Sequence, residues 1–248
     1  MVLASGVCAQ TKNPAQAGHL SLDEVVARMS ASDEARAAAL RHYSSTRRYT
    51  LRNVRFGTSA QLAVEMQYQR PGIKTFQVTS EKGSAIIRDR VLKRLIKAEV
   101  EASRPEVLAT TRITPGNYTF KLQTFETCGE RRCYVLEAIP KVQSKFLFRG
   151  RVWLDSEDFA ISRIEGAPAV NPSFWIKKTA FVHEYAKFGS FWLPVANRST
   201  TEARIFGRTE VSIEYSLYRI NEAGSAGDGG DGKEAVTPDG QGKNDGHN

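Results

Sequence analysis

The feature that most constrains this chain is strict period-two alternation, met first in Gln61–Gln69. Leu62, Val64, Met66 and Tyr68 alternate there with Gln61, Ala63, Glu65, Gln67 and Gln69. Successive side chains of a strand point to opposite faces, so one face of this segment is apolar and the other wet. Pro71-Gly72 supplies a turn, and Ile73–Thr79 returns with Phe76 and Val78 on one face. The pattern recurs down the chain. Tyr118, Phe120 and Leu122 alternate with Thr119, Lys121 and Gln123, and Cys133–Ile139 returns before Pro140. In Phe146–Gly166, "FLFRGRVWLDSEDFAISRIEG", Phe146, Phe148, Val152 and Leu154 share one face with Gly150, and Leu147, Arg149, Arg151, Trp153 and Asp155 take the other. Val211, Ile213, Tyr215 and Leu217 alternate with Glu210, Ser212, Glu214 and Ser216.

With Arg47–Phe56, Trp175–Tyr185 and Phe191–Thr201, the count is about ten strands, nearly all joined by short turns. Helices interrupt only twice. Ser21-Leu22-Asp23-Glu24 is a capping box opening a short helix to Met29, and Ser32-Asp33-Glu34 starts a second. Ala85–Ala102 has Ile87, Val91 and Leu95 on one face, with much of the remainder basic. The expected fold is mainly β (α+β): a single curled, incomplete antiparallel β-barrel with N-terminal and inserted helices as a lid. Sheets of this size tend to curl, and a curled sheet fills its concave face with side chains, a helix or a ligand.

Chemistry-bearing motifs are scarce. The histidines are His19, His42, His183 and His247. His183 lies in a strand beside Glu184, which alternation sends to the opposite face, so the two make no dyad and His183 reads as structural or surface-lying. Gly227–Lys233, "GDGGDGK", lacks the Ser or Thr, the strand and the helix of a phosphate loop. Asp228 and Asp231 make no calcium site. No catalytic residue, metal site or cofactor is expected, and the chain does not read as an enzyme.

The ends differ from the middle. Met1–Ala9 reads as the remnant of a signal peptide, because Val7 and Ala9 suit a signal-peptidase site before Gln10. Ala223–Asn248 is rich in Gly and Asp and reads as a disordered tail with five acids and two lysines. With +8 for the whole chain and −3 for that tail, residues 1–222 carry +11. Such a charge suits anionic lipid, nucleic acid or solubility alone. Arg149, Arg151, Arg88, Arg94 and Lys97 are candidates for steering toward anionic head groups, with an ordinary solvated face as the alternative. No nucleic-acid module is present. Cys128 and Cys133, spaced C-x4-C across a hairpin loop, suit a disulfide in an oxidising compartment, with free thiols as the alternative. Periplasmic export is expected; anchorage in the outer membrane through a lipid on Cys8 is the alternative.

The motifs "GRVWLDSEDFAISRIEG" (Gly150–Gly166), "IPK" before them and "YAKFGSFWLP" (Tyr185–Pro194) after them resemble the periplasmic lipoprotein-carrier group. These are the LolA/LolB-like, outer-membrane lipoprotein-sorting proteins. The resemblance spans Leu20–Asn221, and its motifs mark fold rather than catalysis. It implies an incomplete barrel around an apolar cavity that takes acyl chains. The classical carriers open and close with an arginine and an aromatic-rich lid, and neither is assigned a position here. On this reading a domain of residues 20–221 binds lipid or lipidated protein as a monomer, for carriage or sorting to the outer membrane. Its cavity lining is Leu62, Val64, Met66, Tyr68, Phe76, Val78, Tyr118, Phe120, Leu122, Val152, Leu154, Val211, Ile213 and Tyr215, and its lid is Ile87, Val91 and Leu95. The alternative is a periplasmic sensor or assembly module of the same fold that binds an envelope protein partner.

Overall fold

A computed structural model describes residues 20–171, 176–205 and 207–221. The signal-peptide remnant, the Gly/Asp-rich tail, Cys8, His19, Asp228, Asp231 and His247 lie outside these residues. Ten antiparallel strands form one sheet: β1 (His42–Asn53), β2 (Thr58–Gln69), β3 (Ile73–Gly83), β4 (Tyr118–Cys128), β5 (Arg131–Pro140), β6 (Phe148–Asp155), β7 (Ile161–Pro168), β8 (Ile176–Phe188), β9 (Phe191–Ala203) and β10 (Gly207–Ile220). Their order is β3-β2-β1-β10-β9-β8-β7-β6-β5-β4, so β3 and β4 are free edges and the barrel is not closed.

Register decides which side chains share a face. One row crosses nine strands through directly opposed residues: Leu62, Tyr49, Ile213, Asn197, His183, Ile164, Val152, Leu136 and Leu122. This row runs along the inner face, because Leu62, Tyr49, Ile164, Val152 and Leu136 are buried. β6 and β7 approach closely where Gly150 faces Gly166. A Cβ on Gly150 would collide with the Glu165 carbonyl oxygen and lie 2.6 Å from Gly166 Cα, so only glycine admits the approach.

Helix α1 (Leu22–Ala39) opens with the expected capping box: Ser21 Oγ accepts from the Glu24 N–H, and Glu24 accepts from the Ser21 N–H at 2.8 Å. The two helices expected here are one. Asp33 does not begin a new helix but pairs with Arg112 at 2.5 Å. Val25 and Met29 of α1 pack with Tyr118, Phe120, Tyr134, Leu136, Val152, Leu154 and Ile164 into one core.

The link from edge β3 to edge β4 is helical. It comprises α2 (Ala85–Ile87), a π-helical turn (Arg88–Leu92), α3 (Lys93–Ala102) and the shorter α4 (Pro105–Thr111), which the sequence did not announce. A second core joins Leu92 to Tyr49, Leu51, Leu62, Val64 and Ile213, with Ile87 and Ile96 packed against it. A third joins Tyr43, Met66, Phe188, Leu193 and Tyr218.

The outer face of β6 is not simply basic and wet. Trp153 and Asp155 are buried there. Trp153 packs with Cys133 and Val135, lies beneath the guanidinium groups of Arg151 and Arg163, and donates to Glu126 at 2.8 Å. Asp155 is held by Arg131. Arg151 pairs with Glu165 at 2.8 Å, while Arg163 and Arg198 both pair with Glu184. Cross-strand acids therefore neutralise much of this positive face.

Candidate functional site

The inner face divides into three stretches. Under α1 it is sealed, with Tyr118, Phe120, Val152 and Leu154 buried, and under the π turn and α3 it is sealed again, with Leu62 and Val64 buried. Between these cores, across β8, β9 and β10, the side chains are only half-buried: Phe181, His183, Tyr185, Asn197, Ser199, Val211 and Tyr215. This half-buried middle stretch forms the floor of the inner face, with Phe181 and Tyr185 packed against the first core and Val211 and Tyr215 against the second.

The fourteen residues expected to line a cavity are thus distributed unevenly. Leu62, Val64, Met66, Tyr118, Phe120, Val152, Leu154 and Ile213 belong to packed cores. Tyr68 and Phe76 pack at their margins. Val211 and Tyr215 are half-buried on the floor and pack against the second core. Val78 and Leu122 are 43% and 38% exposed, because they sit on the edge strands β3 and β4 where no further strand covers them.

The lid face is rotated from its expected position. Val91 and Leu95 are exposed, and the buried positions are Leu92, fully, and Ile87, Ile96 and Glu99, partly. The cause is the π turn, closed by the Lys93 N–H bonding to the Arg88 carbonyl five residues back. A π turn admits one extra residue. Ile87 and Leu92, five apart, therefore come onto one face, and the helical period then continues to Ile96 and Glu99.

At the boundary between the second core and the floor lies a polar cluster. Arg47, on the inner face of β1, is 1% exposed. Its Nη1 donates to both carboxylate oxygens of Glu99 on α3 at 2.7 Å, and Lys74 Nζ of β3 donates to Glu99 Oε1 at 2.8 Å. The Arg47 guanidinium lies 4.9 Å from the Tyr215 ring centre and 5.3 Å from that of Phe76. Burial opposes all these charges, yet Lys74 and Arg47 outweigh it at Glu99, whose carboxyl is held below its usual range. Glu99 likewise outweighs burial at Arg47, which stays fully protonated.

Neighbouring groups respond to the same environment. Burial, then Glu99, pushes the Tyr49 hydroxyl up to about 12. Burial pushes His183 down to about 4, partly opposed by Glu99, so the imidazole is neutral at pH 7. His183 packs against Phe181 with ring centres 4.8 Å apart and planes tilted by 41°, and faces Asn197 and Ile164 across the sheet. It is neither an outer-surface residue nor part of a dyad. Arg47, Glu99, Lys74 and Tyr49 carried no signal as a group in the sequence, although Tyr43, Tyr49 and Leu51 at even spacing mark the inward register of β1.

Cys128 and Cys133 are free thiols in the structure, in side-chain contact, and burial pushes Cys133 up to about 12. Among the described residues no group of three His, Cys, Asp or Glu side chains is placed to hold a metal, and no helix is long and apolar enough to cross a membrane. A shallow pocket of about 170 Å³ lined by Arg48, Gln61, Ala63, Ser80 and Lys82 lies on the outer face, away from the floor.

No family model and no curated protein matches the chain. Solved structures similar to it include a DUF1329 family protein from Desulfovibrio piger, at 12% identity over 82% of this chain and 95% of that one, with a TM-score of 0.49. Another is a putative outer membrane lipoprotein-sorting protein domain from Vibrio parahaemolyticus, at 13% identity over 82% and 95%, with a TM-score of 0.44. A third is a LolA superfamily protein from Nitrosomonas europaea, at 10% identity over 83% and 96%, with a TM-score of 0.42. The last two bear the names of the group that the motifs of this chain resemble.

Proposed function

We propose that the protein binds acyl chains of lipids or lipidated proteins on the half-buried floor of β8–β10, and carries or sorts them in a bacterial envelope without catalysis. The observation that supports this reading is the floor itself. Two packed cores flank a stretch where Phe181, Tyr185, Val211 and Tyr215 are half-covered. Each CH2 group moved from water onto such a surface contributes about 0.8 kcal/mol, so chain binding requires no dedicated polar contact. The helix carrying Leu92 is tied to the sheet by Arg47 and Lys74 through Glu99, which makes it the element to move when chains enter. Periplasmic location belongs to the same reading, supported by two thiols already in contact.

The test is native mass spectrometry of gently purified protein, followed by organic extraction. Co-purifying phospholipid or lipopeptide is expected, and it should be lost in Val211→Asp or Phe181→Asp. These half-buried positions take a charge at lower folding cost than the sealed Val64 or Phe120. A clean apo mass combined with failure to take up a fluorescent fatty acid would overturn the reading and direct attention to a protein partner.

A further inference from the structure

Ser45, Arg47 and Tyr49 occupy alternate positions of β1 on the inner face, and are 3%, 1% and 0% exposed. Among the described residues, Ser45 Oγ, Arg47 Nε and the Tyr49 hydroxyl have no hydrogen-bond partner. The Tyr49 hydroxyl sits close to Arg47 and Glu99 without the geometry of a bond to either. Buried polar groups are nearly always paired, so the unpaired Arg47 Nε and Tyr49 hydroxyl beside Glu99 mark a place able to receive a further acceptor.

The charge balance indicates what kind of acceptor fits. Arg47 and Lys74 supply two positive charges, and Glu99 is the one carboxylate bonded to both. One cation is left in excess beside the unpaired Arg47 Nε and Tyr49 hydroxyl. A carboxylate or phosphate satisfies Arg, Lys and hydroxyl donors together through charge-assisted hydrogen bonds. A neutral ester or alcohol leaves the cation in excess. Glu99 already fills part of this seat as an internal anion delivered by α3.

We propose that Arg47, Tyr49 and Lys74 form a seat for the anionic head, phosphate or carboxylate, of an amphiphile, with Glu99 as the internal anion that it displaces. This rests on the reading of the β8–β10 floor as a chain-binding surface. Tyr215 connects the two, since it is opposed to Arg47 in register, stacks on its guanidinium and lies on the floor. The seat supplies head selectivity and the floor supplies chain affinity.

Calorimetric titration of the full chain with four probes separates the two parts: dodecyl phosphate, dodecanoate, neutral 1-monolauroylglycerol and inorganic phosphate. The two anionic amphiphiles should bind roughly tenfold tighter than monolauroylglycerol, as expected for an added hydrogen bond to a charged group. Tyr49→Phe and Lys74→Met should each remove part of that preference and leave monolauroylglycerol unchanged. Glu99→Gln should strengthen binding of the anionic probes alone. Should Glu99→Gln fail to fold, the two milder variants still decide. Equal binding of neutral and anionic amphiphiles, insensitive to Tyr49→Phe, would overturn the seat and leave the chain-binding floor standing. Binding of inorganic phosphate as tight as dodecyl phosphate would support the seat, assign it to a free anion and overturn the role of the floor. Absence of binding by every probe would overturn both.

Discussion

Arg47 of β1 and Glu99 of α3 meet at 2.7 Å although 52 residues separate them, and this pair fastens the crossover helix to the inner face of the sheet. Both side chains are largely out of water, so their worth lies less in net stabilisation than in the cost of breaking one partner away from the other. Glu99→Ala should therefore destabilise the fold by about 3–5 kcal/mol, because it strands a buried guanidinium. Urea denaturation monitored by circular dichroism measures this, and Glu214→Ala, at an exposed pair with Arg48, should cost about 1 kcal/mol or less.

Acid should loosen the same helix. The Glu99 carboxyl is held low in the folded state, so its contribution is complete above the ordinary carboxylate range and is lost as pH falls through the lowered folded value. Hydrogen-exchange protection factors at amides of Lys93–Ala102, followed from pH 6 down to pH 3, should fall before those in β4–β7 do.

His183 acts in a different window. Its folded value of about 4 lies below the ordinary 6.5, so the unfolded chain takes up a proton that the folded chain refuses as pH falls between those values. Stability should decline across that window by as much as ~1.4 kcal/mol per pH unit. His183→Gln should flatten the decline. In the wild type the His183 ring protons should not titrate above pH 5 by nuclear magnetic resonance.

Gly150→Ala should prevent the close crossing of β6 and β7, since the added carbon meets backbone atoms that cannot yield. A loss of several kcal/mol is expected, at the scale of overpacking against rigid backbone. Gly129, at positive φ but with nothing within 4 Å of an added Cβ, should tolerate alanine at a cost of about 1 kcal/mol. Thermal melts of the two variants make the comparison.

The outer face has a core of its own around Trp153. Trp153→Ala should cost about 3–5 kcal/mol, comparable to an inner-face truncation, and should increase the access of Cys133 to alkylating reagents. In protein recovered from an oxidising compartment, the peptide carrying Cys128 and Cys133 should be disulfide-linked. Mass spectrometry after blocking without reductant would show this.

Alternation in Gln61–Gln69, Tyr118–Gln123 and Glu210–Leu217 was sufficient to determine an antiparallel sheet of about ten strands, because a period of two has no other structural meaning. The capping box at Ser21 and the amphipathic stretch after Ala85 likewise located the helices, since these are local properties of the chain. Which inward residues are sealed and which remain accessible was decided by tertiary structure. Val64 and Val211 read alike as strand valines, and only the position of the covering helices separates a packed core from a half-open floor. The π turn at Arg88–Leu92 rotated the helix face by a residue with no local signature, so Leu92 rather than Val91 faces the sheet. The Arg47–Glu99–Lys74 cluster depends on contacts among three elements distant in sequence. An arginine at an inward strand position looks like an error of alternation until the fold brings its carboxylate to it.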